Sequence, residues 1–335
     1  MHDSVRLRPD SVEDDDTAAR AAWLHYAGGL TQSAVAERLG LSTTRAHRMI
    51  ARAARDGLVR VFVDAPVGAC IRLEDDLSAR YGLTTCTVAP DLGETTPLPV
   101  QALGLAGASL LMRLLDRGGP RTIGIGHGST LAAAVHTLPA REAGEARFVS
   151  MLGGLTRKFA ANPFDVIHTL AEKTGAEAFL MPAPLYANSS EDRRIMMTQA
   201  GLAEIMRRLA EAEVCVLGIG ALDPGGSTAR ANVFDPENSL DSLYARGVRA
   251  ELLGQFLDAS GARIATPYDG RVMAAELEDL RGREVHAIAG GEAKAAAIDA
   301  ALRSGVLTGL ITDEATAHRL LALGAQPAAT GTAPL

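Results

Sequence analysis

Apolar and polar positions between Thr31 and Arg60 follow a helical period that is interrupted once, near Gly40. Two sets of apolar residues predict buried helix faces, namely Ala34, Val35 and Leu39, then Ala46, Met49 and Ile50, and the second set has the i, i+3, i+4 spacing. Thr31 and Ser42 stand where N-cap residues are expected. The pattern therefore predicts two helices joined by a tight turn.

The outward face of the second predicted helix carries groups that can bond phosphates or base edges. The residues that we predict to contact DNA are Thr31, Gln32, Ser42, Thr43, Thr44, Arg45, His47, Arg48 and Arg52. An arginine-rich helix is often only a solvated face, but here it coincides with two caps, a turn and a core pattern. We therefore predict a helix-turn-helix domain that binds operator DNA, with a small wing strand over 58–63.

Charge is distributed unevenly along the chain. Residues 17–63 contain seven arginines and two acidic residues, whereas the whole chain of 335 residues has a net charge of −7. This difference predicts a basic DNA-binding module attached to an acidic body. Residues 1–16 contain six acidic residues and little apolar pattern, so we predict a disordered tail there.

Length and composition predict one small and one large domain, because the chain is 47% hydrophobic and only 22% charged. We predict a helix-turn-helix domain over 17–65, a linker helix over 66–82, an effector-binding and oligomerisation domain over 83–326, and a tail over 327–335. In the linker helix, Leu73, Leu77 and Tyr81 form a stripe that is either a linker core or a dimer seam.

The sequence shows no apolar stretch of about twenty residues and no signal peptide, so we expect a cytoplasmic protein without membrane contact. The three cysteines, Cys70, Cys86 and Cys215, are far apart and lack the spacing of a zinc site. We therefore expect reduced thiols with a structural role.

Downstream of residue 83, short apolar runs alternate with longer helical patterns. The runs predicted as strands span 85–89, 122–125, 147–151, 178–181, 214–219, 285–289 and 306–312. Such alternation predicts an α/β domain in which helices cover a parallel sheet. Almost every run ends in glycine or proline, so we expect the following loops to converge at the carboxyl edge of the sheet, where open α/β sheets bind ligands.

The loop Gly124-Ile-Gly-His-Gly-Ser-Thr130 joins a predicted strand to a predicted helix. Backbone N–H groups at such a junction, with the helix dipole behind them, suit a phosphate or another anion. The spacing excludes two nucleotide-binding loops, because the third glycine of a dinucleotide loop and the Gly-Lys-Ser/Thr of a P-loop are missing. A tight turn without a ligand remains an alternative for this loop.

Lys294 follows the pair Gly290-Gly291 at the start of another predicted helix. A lysine there lies at the unfavourable end of the helix dipole, which is understandable if it holds an anion, although a solvated lysine is the alternative.

Asp269 could accept hydrogen bonds from sugar hydroxyls, but an Asp-Gly pair is equally an ordinary turn. His127 and His168 lack a third residue at metal or triad spacing, so we predict no metal, no cofactor and no catalytic residue.

Both halves of the chain resemble the SorC family of sugar-binding bacterial transcriptional regulators, over about residues 18–324. The resemblance rests on the helix-turn-helix TQSAVAERLGLSTTRAHRMIARAARDGLV, the loop GIGHGST, the motifs MLGG, MPAPL and LGIG, and the C-terminal GGEAKAAAIDAALRSGVLTGLITDEATA. It implies a Rossmann-like effector domain of the glucosamine-phosphate deaminase and ribose-phosphate isomerase type. It also implies a sugar, sugar phosphate or polyol effector, control of a catabolic operon, and a homodimer or homotetramer.

Loop position and this resemblance together predict the residues that bind the effector. They are Gly126, His127, Gly128, Ser129, Thr130, Gly153, Gly154, Asn162, Asp269 and Lys294. By the resemblance, Gly128-Ser129-Thr130 match the phosphate-side loop and Lys294 matches the lysine of the GGxxK motif. Relatives have an asparagine-rich helix start where this chain has Ala161-Asn-Pro-Phe-Asp165, a departure that points to an unusual effector such as erythritol or its phosphate.

The leading hypothesis is a transcriptional regulator whose operator affinity depends on the bound effector. The alternative is a sugar-phosphate isomerase or deaminase with an appended DNA-binding module, in which Lys294, Asp269 and His127 would supply acid and base groups. A nonspecific nucleoid-type DNA binder is disfavoured by the acidic body of the chain.

Overall fold

The computed structural model describes residues 9–56, 58–59, 68–154, 166–222 and 240–323. Contacts within the chain divide it into two compact units, Met1–Ala65 and Pro66–Leu335. In these described ranges, no helix is both long enough and apolar enough to cross a membrane.

The first unit is helical. Its elements are α1 (Pro9–Ala22), a π-helical turn (Trp23–Ala27), α2 (Gln32–Leu39) and α3 (Thr43–Arg55). Between α2 and α3, Gly40 adopts φ +64°, the left-handed conformation that glycine tolerates best. Its core contains Val35 from α2 and Ala46, Met49 and Ile50 from α3, which lie on the faces that the apolar spacing predicted.

The N-terminal segment differs from the sequence prediction. We expected a disordered tail over 1–16, whereas α1 begins at Pro9. Ala18 and Ala21 of α1 are fully buried in the core of the unit, which anchors the C-terminal half of this helix. Extending an anchored helix costs far less than nucleating one, so the helix continues toward the N-terminus through residues without an apolar pattern. Most of the predicted wing strand, 60–63, lies outside the described residues.

The second unit is an α/β domain. Its strands are β1 (Thr85–Ala89), β2 (Arg121–Ile125), β3 (Ala146–Ser150), β4 (Ala178–Phe179), β5 (Val214–Leu217), β6 (Gly220–Ala221), β7 (Ala250–Leu252), β8 (Gln255–Leu257), β9 (Glu284–Ile288) and β10 (Gly309–Asp313). Its helices are α4 (Gly68–Tyr81), α5 (Val100–Asp116), α6 (Ser129–Thr137), α7 (Ile167–Thr174), α8 (Ser190–Met197), α9 (Ala200–Ala210), α10 (Leu240–Ala245), α11 (Ala295–Arg303) and α12 (Glu314–Leu323).

Seven strands form one sheet in the order β1-β10-β9-β5-β2-β3-β4, and every pair is parallel. These are the seven strands that the apolar runs predicted, so the predicted α/β class is confirmed. After β2 the chain moves outward to β3 and β4, and it then returns to place β5 on the other side of β2. The strand order therefore reverses between β2 and β5, the kind of switch point at which open α/β sheets bind ligands.

A second, three-stranded sheet was not predicted. It contains β6, β7 and β8, which pair antiparallel. Each of these strands has only two or three residues, too few to show an alternating pattern of apolar and polar positions. This small sheet matters because it carries Glu251 into the pocket described below.

Helix α4 is part of the second unit. Leu73 and Leu77 are buried in the hydrophobic core of this domain, so the apolar stripe is core and is not available as a dimer seam. The Arg80 guanidinium donates to the carbonyl oxygens of Leu320 and Leu321 at 2.8 and 3.0 Å, which ties α4 to the end of α12. The helix predicted over 66–82 is present, and these contacts place it in the second unit.

The three cysteines are free thiols in the structure. Burial raises the pKa of Cys86 to about 12 and that of Cys215 to about 11, so both thiols stay protonated at neutral pH. Desolvation likewise raises the pKa of Cys70. These thiols therefore lack the lowered pKa that reactive cysteines have.

Candidate functional site

The candidate DNA-binding surface is the outer face of α3. Both predicted caps form: the Thr31 hydroxyl accepts a hydrogen bond from the Ala34 amide at 3.3 Å, and the Ser42 hydroxyl accepts one from the Arg45 amide at 3.2 Å. Five predicted DNA-contacting residues are exposed along the helix, namely Thr43, Thr44, Arg45, His47 and Arg48. Because the opposite face of α3 is buried in the unit's core, this face is the one that α3 presents to solvent.

Two other predicted DNA contacts are less accessible. Gln32 is half-buried in the first turn of α2. Arg52 is also half-buried, and its Nε donates to Asp56 Oδ2 at 3.2 Å, an i,i+4 ion pair near the end of α3. This pairing holds the Arg52 side chain along its own helix, so the basic surface is centred on the N-terminal half of α3.

The candidate effector site is a pocket at the switch point, lined by the loops that follow β2, β5 and β9 together with β7. Its lining residues are His127, Gly128, Ser129, Thr130, Leu152, Leu217, Gly218, Ile219, Gly220, Glu251, Leu253 and Lys294. We call it the switch-point pocket. It brings together residues 127–130 of the predicted loop and the predicted Lys294, although 164 to 167 positions of sequence separate them.

Glycines at the switch point allow the loops after β2 and β5 to touch. The Gly126 amide donates to the Val216 carbonyl at 2.8 Å. A Cβ on Gly126 would lie 2.9 Å from the Cβ of Leu217, and a Cβ on Gly218 would lie 2.8 Å from the His127 carbonyl oxygen. No larger residue fits at these positions without a shift of the backbone, so the glycines are required for close approach of the two loops.

The loop after β2 presents the N-terminal end of α6 to the pocket. Gly128 adopts φ +136° and precedes α6, whose first residues are Ser129 and Thr130. The Thr130 hydroxyl is not directed at a ligand: it donates to the Ile288 carbonyl at 2.5 Å and joins this loop to the end of β9. The groups left for a ligand are the first backbone amides of α6 and the half-buried Ser129 hydroxyl.

His127 is half-buried in the wall of the pocket. Desolvation lowers its pKa from the ordinary 6.5 to about 4, so the imidazole is neutral at pH 7. A neutral imidazole has one donor and one acceptor nitrogen, which suits a hydroxyl group better than an anion.

Sequence reasoning missed Glu251, which also lines the switch-point pocket. Its Oε1 accepts a hydrogen bond from the Gly254 amide at 2.5 Å. Gly220 pairs with it across β6 and β7, and a Cβ at Gly220 would lie 3.1 Å from the Glu251 Cβ, so glycine makes room for this carboxylate. The only sequence signal was the glycine ending GIG at 218–220, because the strand that carries Glu251 is too short to be recognised.

Gly126, Gly153 and Gly154 line a neighbouring cavity of about 250 Å³, and His127 and Leu152 form a wall common to both spaces. Asp269 lines neither space. Its carboxylate accepts hydrogen bonds from the amide and hydroxyl of Thr266, both at 3.1 Å, so in this structure it closes a turn. Asn162 lies outside the described residues. Within the described part of the chain, no group of three His, Cys, Asp or Glu side chains could hold a metal ion.

Comparison with protein families agrees with this architecture. Residues 24–60 match the winged helix-turn-helix DNA-binding family, and residues 65–322 match the sugar-binding domain family. The chain belongs to the SorC-type sugar-binding transcriptional regulators. The predicted function is thereby confirmed: this SorC-type chain is a DNA-binding regulator that responds to a sugar-like effector.

Individual relatives cover nearly the whole chain. The erythritol catabolism regulatory protein EryD of Brucella abortus is 46% identical over 308 residues, which are 92% of this chain and 97% of EryD. The transcriptional regulator LsrR of Enterobacter sp. (strain 638) is 30% identical over 319 residues, 93% of this chain and 95% of LsrR. The crystal structure of the full-length sorbitol operon regulator SorC from Klebsiella pneumoniae superposes with a TM-score of 0.71 at 25% identity, covering 94% of this chain and 100% of SorC.

Proposed function

We propose that the effector is a four-carbon polyol, with erythritol or an erythritol phosphate as the first candidate. The observation that carries this proposal is the 46% identity to a regulator of erythritol catabolism, together with a small pocket that mixes donors and acceptors. A polyol offers several hydroxyl groups, each of which can donate and accept, so it is recognised best by a mixed set of protein groups.

The two sides of the switch-point pocket suit different parts of such a molecule. Lys294, the Ser129 hydroxyl and the first amides of α6 supply donors for an oxygen-rich or phosphorylated end. Glu251 and the neutral His127 supply acceptors for hydroxyl groups. A carboxylate on that side repels a phosphate, so a phosphorylated effector would bind with its phosphate toward α6.

We further propose that the exposed face of α3 reads operator DNA, with Arg48 contacting a base edge or a flanking phosphate. One module of this size reads a single half-site, and useful specificity needs two modules. We therefore propose a homodimer or homotetramer joined through the effector domains. Light scattering at micromolar concentration tests this assembly, and a monomer with and without operator DNA would contradict it.

An enzymatic role is the competing proposal, and the placement of the groups in question favours binding. Of the three candidate acid and base groups, Asp269 closes a turn outside the pocket and His127 has its pKa lowered to about 4. The relatives named above are regulators. We therefore propose that the chain regulates and does not turn over its ligand, and that it acts in the cytoplasm with its operator. Turnover of sugar phosphates by purified protein would favour the enzyme.

The decisive experiment is a thermal-shift screen against erythritol, erythritol 4-phosphate, longer polyols and hexose phosphates. A ligand at 100 times its Kd stabilises the native state by about 2.7 kcal/mol, which shifts the melting temperature measurably. Hits are then titrated into the complex with operator DNA in a mobility-shift assay. Stabilisation by a hexose phosphate and by no four-carbon compound would overturn the proposed effector class, while leaving the regulator assignment intact.

A further inference from the structure

The glycine pair ahead of Lys294 is shaped by a residue from another element. Gly291 adopts φ +92°, which glycine tolerates and other residues do not. A Cβ added to Gly290 would collide with Asp313 Oδ2 and would lie 2.9 Å from a methyl carbon of Leu103. Gly290 is therefore required by the close approach of this loop to Asp313, the last residue of β10, and Gly291 is required by its backbone conformation.

Asp313 lies in the interior, with 5% of its surface exposed. Its Oδ2 accepts hydrogen bonds from the Gly291 amide at 2.8 Å and from the Thr316 hydroxyl at 2.6 Å. Its Oδ1 accepts a third bond from the Thr316 amide at 3.0 Å. One carboxylate thus caps the first turn of α12 and also holds the loop that follows β9, and a buried carboxylate needs such bonds to be stable.

The bond to Gly291 is passed on to Lys294 through the backbone. The Gly291 amide is held by Asp313, and the Gly291 carbonyl accepts a hydrogen bond from the Lys294 amide at 2.8 Å. The other side of Gly291 is closed as well, since a Cβ there would lie 3.1 Å from the Pro97 carbonyl oxygen. The position of the Lys294 backbone therefore depends directly on where Asp313 holds Gly291.

We propose that Asp313 is a positioning residue for effector binding, which holds Lys294 in the switch-point pocket without touching the ligand. This inference rests on the proposed function in one respect, namely that Lys294 binds the effector. Asp313 is absent from the lining of the pocket, so its influence on binding passes through Gly291 and Lys294. Groups that orient a binding side chain in this way govern affinity although they make no contact with the ligand.

Two matched substitutions separate positioning from capping. Asp313→Asn keeps an oxygen that can cap α12, but its amide group presents N–H to the Gly291 N–H and loses that bond. Thr316→Val removes the hydroxyl bond to the same carboxylate and leaves the bond to Gly291 in place. In Asp313→Asn the Thr316 hydroxyl can rotate to accept a bond from the new N–H, so each variant loses one hydrogen bond and we expect similar decreases in thermal stability. If Asp313→Asn does not fold, Asp313→Ser retains a good N-cap residue and still cannot hold both partners.

The first measurement is independent of any ligand. Amide hydrogen exchange, followed by mass spectrometry on the peptide that covers 289–296, should be faster in Asp313→Asn than in wild type and unchanged in Thr316→Val. The second is isothermal titration with erythritol and with erythritol 4-phosphate. We expect a roughly tenfold weaker Kd for Asp313→Asn and a change of less than about twofold for Thr316→Val. Operator affinity without effector should be the same in all three proteins.

A double-mutant cycle gives the sharpest outcome. If Asp313 acts through Lys294, adding Asp313→Asn to Lys294→Ala weakens binding no further, whereas independent effects would add. Equal exchange in wild type and Asp313→Asn, or equal loss of affinity in Asp313→Asn and Thr316→Val, would overturn the proposal and leave Asp313 as a helix cap. If wild type binds neither probe, the proposed effector class fails, and the exchange measurement still decides whether Asp313 holds the loop.

Discussion

The candidate DNA-binding surface and the candidate effector pocket of this regulator are built in opposite ways. On α3 the backbone is regular helix, and the groups that we propose to read DNA are exposed side chains such as Arg48. In the switch-point pocket the shape comes from loop backbone, and glycines stand where any side chain would collide with a neighbouring loop. A change on α3 should therefore alter function and spare the fold, whereas a change at a pocket glycine should damage both.

The largest effect is expected for substitution of a glycine in the pocket, and a glycine of the helix-turn-helix serves as the comparison. Gly218→Ala places a Cβ 2.8 Å from the His127 carbonyl oxygen, so the backbone must shift, and we expect a loss of about 1–3 kcal/mol in unfolding free energy together with loss of effector binding. In Gly40→Ala the new Cβ has no atom within 4 Å. The substitution is costly only because alanine must adopt the left-handed conformation, which lowers the unfolding free energy by about 1 kcal/mol.

Urea denaturation and effector titration of these two glycine variants test the contrast. Gly40→Ala should bind effector as wild type does, because the substitution lies in the other unit. Wild-type effector affinity in Gly218→Ala would show that the backbone of these loops does not form the site.

The next effect concerns Lys294, a cation of the pocket lining. Lys294→Ala removes a charge-assisted hydrogen bond to the effector and should weaken binding by about 1.5–3 kcal/mol, a factor of roughly ten to a hundred. Glu292→Ala, an exposed residue in the same 3₁₀ turn (Glu292–Lys294), is the matched control and should change little. Effector titration into the operator complexes measures both; superimposable curves for Lys294→Ala and wild type would place the effector elsewhere.

A slightly smaller effect is expected on the DNA surface. Arg48→Ala should weaken operator binding by about 1–3 kcal/mol, because it removes one contact to a base edge or phosphate, and it should leave effector affinity and melting temperature unchanged. Arg38→Ala, exposed on α2, serves as the control for general loss of positive charge. Equal operator affinity of wild type and Arg48→Ala in a mobility-shift assay would remove α3 from the DNA interface.

The smallest expected effect concerns pH. Protonation of His127 should not change effector affinity near neutral pH. Because the pKa of His127 is about 4 in the folded protein, effector affinity should be constant between pH 8 and about pH 5.5 as far as this residue is concerned. The ordinary pKa of histidine is 6.5, so as the pH falls, His127 is protonated in the unfolded chain before it is protonated in the folded protein. The contribution of His127 to the unfolding free energy therefore decreases as the pH drops from 6.5 toward 4. A midpoint near 6.5 in the titration of the His127 ring by NMR would show that the ring is solvated.

The parallel sheet could be predicted from the sequence because its strands are buried on both faces. Such strands appear as continuous apolar runs, and the run at Val214 to Leu217 is buried at every position. Strands β6 to β8 could not be predicted, since two or three residues carry no period. The helical extension from Thr17 back to Pro9 was missed for a different reason, because α1 is stabilised by packing of its C-terminal half and not by a pattern in its first residues.

The parts of the candidate site that lie in glycine-rich loops could be predicted from the sequence. Single side chains contributed by distant segments could not. The loop 126–130 and Lys294 were predicted from strand-to-helix junctions, and the structure brings residues 127–130 and Lys294 to one pocket. Glu251 and Asp313 were not predicted, because a single carboxylate has no recognisable sequence pattern around it and its role depends on the tertiary fold. Asp269 shows the converse, since its Asp-Gly pair is used as a turn through the bonds to Thr266.

The packing of α4 determines where the domains of such regulators can be recombined, both in evolution and in the laboratory. Its buried stripe and the Arg80 bonds to Leu320 and Leu321 belong to the effector domain, so a crossover between two family members inside this helix would join mismatched halves of one core. A crossover at residues 65–66 leaves the helix with its own partners. Hybrid regulators that pair a foreign DNA-binding head with this sensor should therefore be joined ahead of Gly68, and those joined after Tyr81 should express as unstable protein.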